Sequence, residues 1–475
     1  MKGGLVYAGD SGAHRLAFNR DWNNFQPRAG IAWQIQPKTV LRGGYGLFMM
    51  GQSAAGPDTG FSRRTDMIAS TDNNLTPAAS LSDSFPRSLF PTGLLQPVGS
   101  SLGLATNLGL GIGAQILDRP LPYSHQFSFG FQRALPFQWV ADVSYVGNLT
   151  RKLPVSANLN FIPATELTRL PVPERAAYFN AQVPNPLRGL LPGSAFNGAT
   201  VPRQQLLAAY PHFQQVGISN LPIGGQSYHS LQAKATRRYS RGFAMQASYT
   251  WSKSLERVAS LNAQDVTLSD LTKTGLEQRL VEFDMPHTVA AAFSYELPFG
   301  KGRPFLKNMG GWGNAVFGGW NVNAQYFIRS GQPIDFPNAS PTAARSAKLT
   351  SSQRDELAKT KGRTEFNPFF DKWFDTSLFP TQARAPFTLI DAPTRFPDVR
   401  SPYLESWEFS AYKEFRIREV ARVQLRADFQ NALDYAYFGR MVARPNNVQD
   451  PRFGQLDPAQ DNQPRVVVLV LKVLF

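Results

Sequence analysis

The residue types that most often carry catalysis or metal binding are few in this sequence, and their spacing suits neither task. The five histidines are isolated, and none forms an HExxH motif or a pair at metal-ligand spacing. Cysteine is absent, which excludes thiolate chemistry and disulfides. The segment Leu108–Gly113, LGLGIG, matches only part of a dinucleotide-binding fingerprint, and no strand–turn–helix pattern surrounds it. We therefore predict no catalytic residue, no metal site, no cofactor and no enzymatic activity.

The charged and aromatic residues favour a binding role instead. The formal net charge is +15, but Lys and Arg are scattered through predicted turns and loops without a run of five or six. Nucleic-acid binding is therefore not predicted, and part of the charge is expected to face anionic lipid headgroups. Aromatic and cationic residues concentrate in Phe366–Phe379 and Tyr435–Arg444. Because binding residues often lie on loops that a rigid scaffold positions, we expect these segments to contribute to binding.

The elements that must position such loops are strands rather than membrane helices. No run of 18 apolar residues occurs, so the sequence predicts no membrane-spanning helix. Only 17% of residues are charged, against about 25% in an average soluble domain, while phenylalanine occurs 35 times. An aromatic-rich, weakly charged chain without helical spans is typical of a membrane β-barrel.

Alternation of apolar with small polar residues marks the individual strands. In Tyr123–Gln132 aromatic residues alternate with Ser, Gln and Gly, and Phe243–Ser252 repeats the pattern. The last stretch, Gln463–Phe475, also alternates and ends on an aromatic residue. Its length fits a membrane-crossing strand of about 9–11 residues. Taken alone, it would fit a buried strand of a soluble sheet equally well.

The predicted strands number about eleven, and the connections between them alternate between short and long. Short connections follow Ile35, Ala134, Tyr239, Leu297 and Arg416, and long ones follow Met50, Gly147, Lys253, Arg329 and Ala432. This alternation is typical of outer-membrane barrels, which have short periplasmic turns and long external loops. One helix is predicted, in the loop segment Ser351–Arg363. The predicted fold class is therefore all-β, an antiparallel transmembrane β-barrel.

Large aromatic side chains recur near the ends of the apolar strand faces, as in the aromatic belts of membrane barrels. The predicted members of this girdle are Trp33, Phe137, Trp139, Tyr145, Tyr249, Trp251, Tyr295 and Trp407. The opposite faces are polar and suit a hydrated lumen. The lumen-facing candidates are Arg42, Gln246, Arg422, Gln424, Arg426 and Asp428. We expect Arg422, Arg426 and Asp428 to form a charge ladder with Glu408, and direct ligand contact is the alternative.

Six sequence blocks, in order along nearly the whole chain, carry a family resemblance. They are NNFQPRAGIAWQIQPKTVLRGGYGLF, PYSHQFSFGFQRALPFQWVADVSYVGN, YHSLQAKATRRYSRGFAMQASYTWSKSL, FDMPHTVAAAFSYELPFGKGRPF, WEFSAYKEFRIRE and VQLRADFQNALDYAYFGR. With the terminal aromatic strand, they resemble the carboxyl-terminal barrel half of Oar-like TonB-dependent outer-membrane receptors, which often carry an amino-terminal carboxypeptidase-regulatory-like domain. Each block alone is a weak signal, and the set is specific.

The resemblance implies a barrel of about 22 strands with a plugged lumen. Residues 1–475 would then be a partial barrel domain, roughly the last half, with no plug domain and no signal peptide. The odd strand count agrees with missing strands, because bacterial single-chain barrels have even numbers. TonB would act only through the missing amino-terminal part. The resemblance also implies that barrel-assembly machinery recognises one face of the closing strand, namely Val467, Leu469, Leu471, Val473 and Phe475.

Two functions stay open at this point. In a transporter, external loops would capture a ligand, the plug would rearrange, and the ligand would pass through the lumen. In a non-transporting surface protein, the same barrel would present adhesive loops. Expected partners are outer-membrane lipid, including lipopolysaccharide, and the barrel-assembly machinery, and the expected location is the outer membrane. The closing strand is expected to pair with Val420–Ala432 and either to leave its other edge open or to close a smaller, strained barrel.

Overall fold

The computed structural model of the chain describes residues 3–9, 15–16, 18–51, 64–114, 116–191, 195–257, 278–336, 346–379, 385–387, 395–417, 421–441 and 447–475. Most of the ordered elements are strands. They are β1 (Arg28–Gln36), β2 (Thr39–Met49), β3 (Gly111–Ala114), β4 (Tyr123–Leu135), β5 (Trp139–Asn158), β6 (Gln182–Pro184), β7 (Thr200–Pro202), β8 (Gln215–Ser240), β9 (Phe243–Arg257), β10 (Gln278–Leu280), β11 (His287–Glu296), β12 (Trp320–Arg329), β13 (Pro333–Asp335), β14 (Arg395–Arg400), β15 (Leu404–Ile417), β16 (Ala421–Gln430) and β17 (Val466–Leu474).

The helices are short and lie in the connections. They are α1 (Ala164–Leu167), α2 (Val172–Asn180), α3 (Arg203–Leu207), α4 (Gly311–Phe317) and α5 (Ser351–Thr360), with 3-10 turns at Gly103–Ala105, Ala195–Asn197 and Thr376–Leu378. The predicted helix is confirmed as α5, whose first turn is closed by a capping box between Thr350 and Gln353. Among the described helices, none is long and apolar enough to cross a membrane.

The main sheet follows chain order. Strands β1, β2, β4, β5, β8, β9, β11, β12, β15, β16 and β17 lie side by side, each antiparallel to its neighbour, while β3 and β10 add short pairings to β8 and β9. The closing strand β17 pairs with β16 from Arg422↔Leu474 to Gln430↔Val466. Within the described residues, β1 and β17 each have a single partner, so the sheet is open rather than closed into a barrel. The expected pairing of the closing strand, with its other edge open, is confirmed.

The connections divide cleanly between the two ends of the sheet. At one end, called here the short-turn end, Gln36 and Thr39 are joined by two residues, and β4 to β5, β8 to β9 and β15 to β16 are joined almost as tightly. The β11–β12 connection, which contains α4, is the longest at this end. All connections of several tens of residues lie at the opposite, long-loop end. The alternation that the sequence predicts is therefore present.

Two predicted loops are in part strand. The long connection predicted after Gly147 is in part strand, since β5 continues to Asn158 and β8 begins at Gln215. The two strands stay paired beyond Arg151 through register shifts, so the ladder absorbs prolines that a regular ladder would not tolerate. The long connection predicted after Met50 also contains a strand, because β3 includes the last residues of Leu108–Gly113 and pairs in parallel with the start of β8.

A buried aromatic cluster organises the long-loop end and is called here the loop core. It joins the β12–β15 connection to the β16–β17 connection. Its buried members are Ile334, Phe336, Ala347, Phe374, Phe379, Phe396, Val399 and Phe453. Several ring pairs are edge-to-face, including Phe374 with Phe453 at a centroid distance of 5.4 Å. The loops are therefore held by a hydrophobic core of their own.

Asp371 beside the loop core makes this region sensitive to acid. Burial raises the pKa of its carboxyl group, but the Asn367 N–H, Lys361 and Arg363 together outweigh that effect and hold the pKa below its usual range. A carboxyl with a depressed pKa in the folded state stabilises above its unfolded pKa of about 4, and that contribution is lost as pH falls through the folded value. We expect proteolysis of segment 361–379 to accelerate below about pH 4.

The matched variants separate this effect from general acid unfolding. Asp371→Asn should make proteolysis of the segment faster at neutral pH and less dependent on pH. Asp355→Asn, on the exposed face of α5, should behave as the wild type. The measurement is limited proteolysis across a pH series, and an unchanged acid profile in Asp371→Asn would contradict the assignment.

Candidate functional site

One face of the sheet is apolar and exposed. The register aligns Phe129 with Tyr145, Tyr145 with Leu231, and Leu231 with Trp251 across four neighbouring strands. All four are exposed, and Trp251 retains 55% of its accessible surface. A contiguous exposed apolar surface marks a site of contact with a membrane or another protein. This face has the character of a surface in contact with lipid.

The eight predicted girdle residues lie at two levels of this sheet. The level near the short-turn end contains Trp33, Phe137, Trp139 and Tyr295. The level farther toward the long-loop end contains Tyr145, Tyr249, Trp251 and Trp407. Phe137 was expected to begin a strand but lies in the β4–β5 turn with φ of 58°, because this tight turn needs left-handed residues. A belt function for the eight residues stays a prediction.

Tyrosine–histidine pairs on the apolar face were not foreseen from the sequence. In each pair a tyrosine hydroxyl contacts the imidazole Nδ1 of a histidine on the next strand of the sheet. The pairs are Tyr45 with His125 at 2.8 Å, Tyr145 with His229 at 2.6 Å, and Tyr249 with His287 at 2.8 Å. In the sequence the histidines are isolated from one another, and nothing near them in the chain indicates these partners. The partners could be found only from the strand register, since each contact is diagonal between strands.

The polar face carries a small pocket of about 170 Å³ between β12, β15 and β16. Arg426 Nε donates to Asp428 Oδ1 at 2.7 Å within its lining, and Glu408 lies beside them. The other polar lining residues are Asn323, Gln325, Ser410 and Gln430. Farther toward the short-turn end, Gln424 Nε2 donates to Glu414 Oε1 at 3.0 Å. The pocket lining therefore offers a polar solute both a cation, Arg426, and carboxylates, Asp428 and Glu408.

The remaining lumen candidates do not join this pocket. Arg42 lies on β2 between Ala32 and Gly130, and Gln246 lies on β9. Arg422 is opposite Leu474, near the short-turn end of β16. The structure therefore brings together Arg426 and Asp428 with Glu408, as the expected charge ladder requires, but leaves Arg422 out of the pocket.

A buried ion cluster fastens the long-loop end to the sheet. Arg395 on β14 bonds Glu256 Oε1 on β9 at 2.8 Å and Asp335 Oδ2 on β13 at 3.2 Å. Arg279 on β10 bonds the same Glu256 oxygen at 2.8 Å. The side chains of Arg395 and Glu256 are 1% and 0% exposed. A parallel pair, Arg400 with Asp284 at 2.7 Å, reinforces the junction.

The two segments expected to supply binding residues are mostly structural. Phe374 and Phe379 belong to the loop core, and Arg354 stacks 4.4 Å from the ring of Trp373. Phe369 and Phe438 join the two segments edge-to-face at 4.8 Å. Of Tyr435–Arg444, residues 442–444 lie outside the described residues. The aromatic density that suggested a binding surface is therefore largely used for packing.

The closing strand has exposed apolar residues on both faces, and the five predicted signal residues share one of them. Four of the five are opposite apolar residues of β16. The pairs are Val467 with Phe429, Leu469 with Ala427, Leu471 with Leu425, and Val473 with Val423. Leu469 keeps 79% of its accessible surface and Phe475 keeps 99%. The five residues therefore present one uninterrupted apolar edge to the surroundings. Their role as an assembly signal stays a prediction.

Comparison with known proteins places this geometry in a family. A sequence model described as an outer membrane beta barrel domain matches residues 2–467. No curated protein matches the chain.

Several solved structures are similar to the chain at low identity. The outer-membrane transporter YddB from Escherichia coli shares 9% identity with a TM-score of 0.41, over 94% of this chain and 39% of its own. The FrpB iron transporter from Neisseria meningitidis shares 8% with a TM-score of 0.38, over 94% and 39%. The ferripyoverdine receptor of Pseudomonas aeruginosa shares 10% with a TM-score of 0.35, over 94% and 32%. The chain thus spans well under half the length of each of these proteins.

Proposed function

The chain belongs to the outer-membrane β-barrel domain family and is a protein of the outer membrane, and on that premise we propose that it forms the carboxyl-terminal wall of an Oar-like TonB-dependent transporter. The long-loop end faces outward and receives the ligand, and the polar strand face lines the path of uptake. The Oar-like assignment rests on the six sequence blocks. TonB would act through a segment outside this chain.

The observation that carries the proposal is the polar pocket around Arg426 and Asp428. Water can fill the lumen of a barrel whose inner strand faces carry no charged residues. Charged residues on the inner face therefore need another explanation. Here a cation, its anion and Glu408 converge on one small concavity. Such a set suits a polar solute or a polar segment that fills the lumen. We propose no catalytic role and no cofactor.

The closing strand completes the proposal. We infer that Val467, Leu469, Leu471, Val473 and Phe475 are recognised by the barrel-assembly machinery. All five lie on the exposed side of the last strand of the sheet. The fraction of chain that reaches the folded, heat-modifiable state in the outer membrane measures this recognition.

Uptake from spent medium tests the transporter even when its ligand has not been identified. Untargeted mass spectrometry of the medium should find a solute that disappears only when both this gene and TonB are intact. Arg426→Ala should slow its disappearance about tenfold or more, since a hydrogen bond between charged groups contributes about 1.5–3 kcal/mol. Arg133→Ala removes the same charge outside the polar face, near the short-turn end of β4, and should leave the rate unchanged.

Two outcomes would contradict the proposal. One is that no solute depends on the gene and TonB together. The other is that deletion of the gene abolishes attachment of cells to surfaces while every solute is still consumed, which would favour the adhesive function.

A further inference from the structure

A row of four residues, two of them arginines, crosses the apolar face near its long-loop end. The register places Tyr123, Arg151, Gly225 and Arg257 next to one another on β4, β5, β8 and β9. Side chains alternate between faces along a strand, and Arg151 is six residues from Tyr145. The row is therefore on the same face as the exposed Tyr145 and Trp251.

A β-bulge adds a second cation beside Arg151. Arg151 is opposite Gly225 and Leu153 is opposite Gly224, so Lys152 is the extra residue of β5. Its φ is 56°, the left-handed conformation that lets both Arg151 and Lys152 stay exposed. Lys152 Nζ lies 5.6 Å from the centre of the Tyr123 ring. The bulge thus places two consecutive cations at one site.

Gly225 leaves room between the arginines. A Cβ atom there would lie 3.2 Å from the Thr150 carbonyl oxygen and 3.9 Å from Arg151 Nη1. The row borders a pocket of about 360 Å³. Its lining includes Tyr123, Arg151, Lys152, Gly225, Arg257 and Gln278. Because Gly225 has no side chain, the pocket stays open between the positions of Arg151 and Arg257.

Among the described residues that line this pocket, the acid does not balance the cations. Glu256 lines the pocket, but its carboxylate is held by Arg279 and Arg395. The Arg151 guanidinium donates to the Thr150 carbonyl oxygen at 3.1 Å. Lys253, exposed on the same face opposite His229, adds a further cation below the row. The site has the charge to bind an anion.

The height of the row matches the headgroups of a bilayer. Arg151 is twelve residues from Trp139 at the short-turn end of β5. At about 3.3 Å per residue and a tilt of about 40°, that separation is about 30 Å along the membrane normal. The apolar band of such barrels is about 25 Å tall. The cations therefore lie just beyond the acyl chains.

We propose that Arg151, Lys152 and Arg257 bind the phosphate of an outer-leaflet lipid, the phosphorylated glycolipid portion of lipopolysaccharide. Guanidinium groups bind phosphate in a planar, two-bonded geometry, and two of them flank the opening above Gly225. The acyl chains lie against the exposed row from Phe129 to Trp251. The inference depends on the outer-membrane location and not on transport.

The test compares lipid retention by the 475-residue chain and its variants in detergent. The probe is a bis-phosphorylated lipid A, with its dephosphorylated form as reference, and bound lipid is counted by native mass spectrometry. Arg151→Ala/Arg257→Ala should weaken binding of the phosphorylated lipid at least about tenfold. Gly225→Val keeps every charge but fills the opening, and it should weaken binding similarly.

The control removes two cations from the short-turn end. Arg133→Ala/Lys301→Ala should bind as the wild type, and heat-modifiable gel mobility reports whether each variant is folded. Three results would overturn the inference: full binding by folded Arg151→Ala/Arg257→Ala, equal binding of the dephosphorylated lipid, or displacement of the lipid by equimolar inorganic phosphate. The last would identify a site for free anions.

Discussion

Replacing Arg395 with alanine is expected to loosen the attachment of the loop core to the sheet by about 3–5 kcal/mol. Arg395 is buried and bonds Glu256 and Asp335 from two separate parts of the chain. Its removal deprives Glu256, which is fully buried, of one charged partner and leaves its ion pair with Arg279 in place. A buried charge deprived of a partner costs far more than the pair itself contributes.

Hydrogen exchange of β13 and β14 measures the effect. Exchange in these strands should accelerate about 100-fold or more, because each 1.4 kcal/mol changes an equilibrium tenfold. The control is Arg452→Ala, because Arg452 is 61% exposed and its pair with Asp450 therefore contributes little. If Arg395→Ala exchanged at the wild-type rate, the buried cluster would not be what holds the loops.

Replacing Leu469 with arginine is expected to prevent stable insertion of the closing strand, while the same change at Val468 is tolerated. Leu469 is on the exposed apolar face, six residues from Phe475, which places it about 15 Å along the membrane normal from the chain end. Arginine at the middle of the lipid-facing band costs about 2–4 kcal/mol. Val468 is on the other face of β17, opposite Asp428, where arginine meets an acid.

The measurement is the folded fraction in outer membranes and the urea midpoint of the extracted protein. Leu469→Arg should lower both, and Val468→Arg should lower neither, although the two variants differ by one position and gain the same charge. An equal loss in both variants would mean that the two faces of β17 are not distinct, and the lipid-facing assignment would be wrong.

Local patterns predicted the sheet well because apolar and polar residues alternate along each strand and so identify its two faces. Tyr123–Gln132 alternates so regularly that its strand and its exposed face both follow from residue order alone. The short turns then indicate which consecutive strands form hairpins, and the alternation of short and long connections indicates that strands follow chain order in the sheet. The closing strand was ambiguous in isolation, and its assignment came from the strands that precede it.

What the sequence could not predict depends on contacts between distant residues. Phe374 and Phe453 are 79 positions apart, so nothing local indicates that they share one core rather than a binding surface. The extension of β5 past Arg151 depends on bulges that accommodate prolines, and local propensity argues against it. The partner of His229 is known only once the register aligns Tyr145 with Leu231.

The loop core has a consequence for the order in which the protein assembles. Its residues come from both sides of the hairpin β15–β16, with Phe336 before it and Phe453 after it. The core can therefore close only once that hairpin is in place and both flanking segments have reached the same side of the membrane. Until then the phenylalanine side chains of these segments stay exposed. Chains with exposed hydrophobic surface aggregate and need chaperones. The β16–β17 connection, which contributes Phe453, completes the loop core and thereby fixes the loops that precede it in the chain.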